Sequence, residues 1–147
     1  YICIVDIDKE TGGIHVRRFV AIDDCGHIIN PMIVQGQVHG GLTQGIAPAM
    51  YEELIYDDDG NILNGTLMDY LVPTAVESPK WETGHTVTPS PHHPIGAKGV
   101  GESPTVGAPP AIANAIIDAL SPYGITHLDI PITPFKVWKA LKEKGAI

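Results

Sequence analysis

Residues 31 to about 54 open with the start signal of a helix, yet they hold four of the residues a helix interior tolerates least apart from proline. At Asn30-Pro31 the asparagine can cap free amides, and proline suits a first helical position. Each interior glycine costs roughly 1 kcal/mol relative to alanine. Gly36, Gly40, Gly41 and Gly45 therefore call for something that must approach the backbone closely. On a helix Gly36 and Gly40 share one face and Gly41 and Gly45 share another, while Gln37 and Gln44 set amide side chains beside the bare patch. Two occupants fit: a polar ligand held by the amides, or a second element packed tightly over buried glutamines. Spacing alone leaves both open.

A second glycine cluster reads Gly96-Ala97-Lys98-Gly99-Val100-Gly101-Glu102-Ser103-Pro104-Thr105. Such a loop can turn its amides toward an anion, and a helix start follows closely. Glu102 ends the loop among apolar and small residues. It is either a carboxylate made basic by burial or a simple cap for the next helix. Three familiar templates fail. Lys98 sits mid-loop rather than after the last glycine of a phosphate loop. Pro89, Pro91 and Pro94 stand where a dinucleotide fold needs a strand. Ser103 lacks the flanking glycines of a hydrolase elbow, which leaves a hydrolase built on Ser103 or Ser90 a remote alternative.

The remaining segments predict an α+β fold of antiparallel hairpins with about three helices, in a single domain over residues 1–147. Strands are expected at 1–6 and 14–22 around a Gly12-Gly13 turn, with a further hairpin at 54–63 around Asp59-Gly60-Asn61. Residues 73–94 read as irregular, with one short strand near 85–88. A second helix is expected at 109–120, where Ile112, Ile116 and Leu120 keep helical spacing. A strand at 125–130 and a helix at 134–144 complete the pattern. The chain begins at Tyr1, already within strand-like sequence, and this suggests a piece of something longer.

Composition mainly excludes. Nine Lys and Arg against seventeen Asp and Glu give a net charge of −8, with no basic stripe for nucleic acid or an anionic membrane. No apolar run reaches the roughly 18 residues of a membrane span. Two cysteines, Cys3 and Cys25, are too few for a disulfide framework and read as buried thiols in a reducing cytoplasm. The seven histidines show no ligand spacing, so no protein-held metal is expected.

Taken in order, Gly36-Gln37-Val38-His39-Gly40-Gly41, the run Asn64-Gly65-Thr66-Leu67-Met68-Asp69-Tyr70-Leu71-Val72-Pro73-Thr74-Ala75, and Thr88-Pro89-Ser90-Pro91-His92-His93-Pro94-Ile95-Gly96-Ala97-Lys98-Gly99-Val100-Gly101-Glu102 resemble three motifs of one family. It is the molybdopterin-binding large subunit of the xanthine oxidase family, above all its carbon monoxide dehydrogenase branch. The similarity runs from residue 1 to about 141. It implies a C-terminal piece of a molybdenum-cofactor-binding domain, with Glu102 as the base that takes a proton from a molybdenum-bound hydroxyl. It also implies cofactor contacts from Gln37, Gly36, Gly40 and Gly41 and from the loop Lys98, Gly99, Val100 and Gly101. The implied cofactor is molybdenum-molybdopterin in its cytosine dinucleotide form. Electrons would pass to Fe-S and FAD subunits in a hetero-oligomer that includes the rest of the large chain. The substrate-facing part lies upstream, so carbon monoxide, aldehyde and heterocycle stay open. So does a non-catalytic module that only binds cofactor or subunit.

Overall fold

The alternating run after the Gly12-Gly13 turn becomes the central strand of a three-stranded sheet, in a computed structural model that describes residues 1–147. β1 (Ile2–Ile7) and β2 (Ile14–Asp24) form the antiparallel hairpin expected from the sequence. Asp8 closes its turn. Gly12 N donates to the Asp8 carbonyl at 2.8 Å, Asp8 N donates to the Gly13 carbonyl at 2.9 Å, and the Thr11 hydroxyl donates to Asp8 Oδ2 at 2.8 Å. The register shifts between Ile4 and Val5, which pair with Arg18 and Val16. Arg17 is thus the extra residue of a β-bulge, and it resets the alternation so that Val16, Phe19, Ala21 and Asp23 all turn inward.

The third strand departs from expectation. β3 (Trp81–Thr86) begins earlier than residue 85 and pairs with β2 in parallel, not as part of a hairpin. Side chains explain the register. Trp81 meets Phe19 edge-on at 5.4 Å, and Glu82 takes two bonds from Arg18, at 2.6 and 2.7 Å. Parallel partners need no local turn, so nothing adjacent in sequence announces them.

α1 (Pro31–Met50) starts as expected, with Asn30 Oδ1 accepting from Met32 N at 3.1 Å and Ile33 N at 3.3 Å. It stops before residue 54, because Tyr51 N and Glu52 N both fold back onto the Ala47 carbonyl at 2.8 Å. The reversal at 54–63 is present as a single Tyr56–Ile62 bridge around an Asp57-centred turn, without regular strands. α2 (Ser103–Leu120) begins six residues before Pro109 and carries Pro109 and Pro110 inside it. Proline normally marks a helix start. Here Pro104 takes that place, and contact with α1 holds the first turns despite the missing amide donors. A 3-10 turn (Ser121–Tyr123) and α3 (Pro134–Glu143) follow.

No strand forms at 125–130. Ile125 and Ile132 instead enter the core singly, and Ile132 N bonds the Ala49 carbonyl at 2.7 Å. Leu42 and Ile46 of α1, Ile112, Ile116 and Leu120 of α2, and Val137 and Leu141 of α3 meet Phe19 in that core. Much apolar surface is left outside it. The accessible area is 9073 Å², against about 7,300 Å² for a monomer of this mass. Leu67, Met68 and Val76 are 85 %, 88 % and 90 % exposed in the connection between α1 and β3. No helix is long and apolar enough to cross a membrane.

The α1–α2 contact is tight enough to test. A Cβ on Gly45 would lie 2.7 Å from the Ala108 Cβ and 3.3 Å from both Pro109 and the Thr105 carbonyl, whereas a Cβ on Gly40 would meet nothing within 4 Å. Gly45→Ala should therefore destabilise by about 1–3 kcal/mol through overpacking. Gly40→Ala should stabilise by up to about 1 kcal/mol through helix propensity. Urea unfolding of the two variants measures both signs.

Candidate functional site

The helix glycines divide between the two occupants that the sequence left open. Gly41 and Gly45 face α2: a Cβ on Gly41 would fall 2.7 Å from the Pro104 ring and 3.2 Å from Thr105 Oγ1. The Thr105 hydroxyl then donates to the Gly41 carbonyl at 3.2 Å. Gly41, expected at a cofactor, is thus taken up by helix packing, because Pro104 already covers its bare Cα. Gly36 and Gly40 lie on the other face and are open, with no atom within 4 Å of where a Cβ would sit. Gln37 is exposed beside them.

The α1–α2 contact brings the second cluster to the first. A Cβ on Gly101 would stand 3.9 Å from Gln37 Oε1, so the end of the glycine loop lies against the amide on the open helix face. Gly99 is open as well, with nothing within 4 Å of its Cβ direction. Ala97, Lys98 and Val100 line a hollow of ≈ 200 Å³ with Asn30, Ile33 and Val34 at the start of α1.

The chain just after β2 fixes the loop. Gly26 and Ala97 form an antiparallel bridge, Lys98 N donates to the Cys25 carbonyl at 2.8 Å, and His27 N donates to the Gly96 carbonyl at 3.2 Å. Gly26 has φ +66°, and a Cβ there would fall 2.1 Å from the Gly96 carbonyl oxygen, so only glycine fits. Asp24 is the hub. Its Oδ1 accepts from Lys98 Nζ at 2.8 Å, Gly26 N at 2.9 Å and Thr88 N at 3.1 Å, and its Oδ2 accepts from Thr86 Oγ1 at 3.3 Å. The Lys98 ammonium, followed by the Thr88 bonds, holds the Asp24 carboxyl well below the usual carboxylate range. Spacing alone does not single out Asp23-Asp24. An acidic pair at a strand end does carry a signal, since one of two consecutive strand residues must face inward.

Glu102 ends the loop and precedes α2, and its side chain does not cap that helix. The cap alternative therefore fails on geometry. Glu102 is exposed at the edge of an open hollow of ≈ 630 Å³, lined also by Tyr1, Ser103, Val106 and Gly107. The burial expected to make it basic is not supplied by these residues. Ser103 donates its hydroxyl to Asp23 and lies by Tyr1 OH rather than a histidine, so no base stands beside it to make it a nucleophile. The Cys3 thiol is pushed up to about 11 by burial, and both cysteines are free. No three His, Cys, Asp or Glu side chains converge. His39 Nε2, on α1 beside Gly40, is buried without a partner.

This face, with two bare helix positions, an exposed amide and a glycine loop beside it, suits a polar group laid flat on α1. The pattern of the molybdopterin cofactor-binding domain matches residues 1–79, and the chain belongs to that family. It is similar to the carbon monoxide dehydrogenase large chain of Hydrogenophaga pseudoflava, 62% identical over 143 residues, covering 97% of this chain and 18% of that one. The nicotine 6-hydroxylase large subunit of Paenarthrobacter nicotinovorans is 45% identical over 139 residues, covering 95% of this chain and 17% of its own. Among solved structures, Cu,Mo-CO dehydrogenase in its carbon monoxide reduced state superposes with a TM-score of 0.94 at 56% identity, over 97% of this chain and 18% of that one. The chain thus spans less than a fifth of the relatives it matches.

Asp24 gives a pH test. Its folded pKa is depressed, so its contribution is complete above the ordinary carboxylate value of about 3.9 and is lost only as pH falls through the lowered folded value. Lys98→Met removes the largest cause and should raise the Asp24 pKa. Acid loosening of residues 96–101 would then begin at higher pH than in the wild type, as amide hydrogen exchange across a pH series would show.

Proposed function

We propose that this chain is the catalytic-glutamate portion of the large chain of a molybdenum hydroxylase, working with the rest of that chain and with Fe-S and FAD subunits. One observation carries the proposal: α1–α2 packing sets Gln37 beside Gly101 on an open glycine face, with Glu102, whose side chain makes no cap bond, next in the chain. The residues fit the family's cofactor. Gly36 and Gly40 leave room for close approach, the Gln37 amide can donate and accept, and the loop of Lys98, Gly99, Val100 and Gly101 is held by Asp24. When bound, the molybdenum cofactor, in its cytosine dinucleotide form, supplies the two-electron redox chemistry, and the protein supplies placement and proton transfer.

Within that division Glu102 accepts a proton at its carboxylate during substrate oxidation. Its exposure here is consistent with a site completed by the rest of the large chain. That chain would bury Glu102 and so raise its basicity, and would also cover the apolar connection around Leu67 and Met68. The identities favour carbon monoxide as the first substrate to assay, ahead of N-heterocycles: 62% to a carbon monoxide dehydrogenase against 45% to a nicotine hydroxylase.

The test is Glu102→Gln in the assembled enzyme, assayed with carbon monoxide, an aldehyde and an N-heterocycle against a dye acceptor. Turnover should fall by about 10²–10⁴, the share of a general base, with molybdenum content unchanged. Near-normal turnover would instead leave a module that binds cofactor or subunit without taking part in the chemistry.

A further inference from the structure

Asp23 stands apart from the hub made by its neighbour. It is 4 % exposed, at the end of β2, and neither of its oxygens meets a cation. Oδ1 accepts from the Tyr1 hydroxyl at 2.6 Å and from the Ser103 hydroxyl, while Oδ2 is buried without a partner. Burying a carboxylate with an unpaired oxygen is destabilising, and an apolar side chain of similar volume would serve packing better. The group therefore points to a task other than stability.

Both of its donors border Glu102. Ser103 follows Glu102 directly as the first residue of α2. The Tyr1 ring covers Gly107, where a Cβ would come within 2.5 Å of it, and Tyr1 lines the same hollow as Glu102. Burial, followed by the bond to Asp23, pushes the Tyr1 hydroxyl up to about 12, so it remains a donor at neutral pH. Glu102 itself has only a backbone tie, its carbonyl accepting from Val106 N at 3.0 Å. Its direction is then set by the residues that anchor the first turn of α2: Pro104 and Thr105 against α1, and Ser103, whose hydroxyl ends at Asp23.

We propose that Asp23 is a positioning residue: through the Ser103 and Tyr1 hydroxyls it ties the first turn of α2 to the central strand and so holds Glu102 in place at the end of the glycine loop. This role rests on Glu102 acting as the base. A carboxylate that must meet a reacting group within a few tenths of an ångström gains from such an anchor, since small misplacements carry large rate losses.

Ser103→Ala, Ser103→Thr and Glu102→Gln, made side by side in the assembled enzyme, test it. The readouts are kcat and KM on whichever of the three substrates the wild type oxidises, molybdenum content, and amide hydrogen exchange at residues 99–105. In Ser103→Ala, kcat should fall on the order of 10–100-fold, the loss typical of an outer partner, with KM and metal unchanged. Exchange should quicken at 99–105 and not in β1 or β2. Ser103→Thr keeps the hydroxyl and should restore both kcat and protection. Full kcat in Ser103→Ala, a loss that threonine does not restore, or a loss that follows metal content would each overturn the role of Asp23. An inactive Glu102→Gln beside a fully active Ser103→Ala overturns the positioning alone, whereas an active Glu102→Gln overturns the base as well.

Discussion

The contact of Gly41 and Gly45 with Pro104, Thr105 and Ala108 is the constraint on which the rest of the site depends. Two helices approach closely only where side chains are absent, and here one helix supplies the glycines while the other supplies compact proline and alanine. The approach fixes where α2 begins, and so fixes the loop that ends at Glu102. It also sets the Gly101 backbone against Gln37. A larger residue at Gly45 would separate two motifs far apart in sequence before it touched either one.

A second layer of control lies at the end of β2. Two consecutive carboxylates leave the strand in opposite senses and do different work. Asp24 gathers Lys98, Gly26 and Thr88 and holds the glycine loop from the solvent side. Asp23 turns inward and takes the hydroxyls of Tyr1 and Ser103. The β-bulge at Arg17 sets this phase, because without the extra residue Phe19 and Asp23 would face the other way. A local irregularity in the hairpin is thereby linked to the geometry of a loop on the far side of the chain.

Much of this was legible in the sequence, and the gaps have physical causes. Caps announce helix starts through local chemistry, so Asn30 marks α1 where the structure has it, and the helix expected at 134–144 forms as α3. The first hairpin carried its own turn. Glycine spacing required a close neighbour for α1 but could not say which glycine met protein and which stayed bare, since that depends on a partner more than fifty residues away. β3 was misplaced because parallel pairing leaves no local trace, and residues 125–130 lacked a sheet edge to join. α2 starts six residues ahead of Pro109 because tertiary contact outweighs the usual meaning of that proline. Glu102 could be named from its motif, yet its exposure could not, because exposure depends on tertiary neighbours that the motif does not specify.

In the proposed function, the open face of α1 and the loop beside it form part of a molybdopterin site. The most direct measurement is the molybdenum and pterin content of the full-length assembled protein, purified from a molybdenum-replete host and determined by elemental analysis and cofactor extraction. Near-stoichiometric metal and pterin, lost together when Gly36 or Gly40 is replaced by a bulky residue on the open face, is the predicted result. Stoichiometric cofactor in those variants, or none in the wild type, would contradict it.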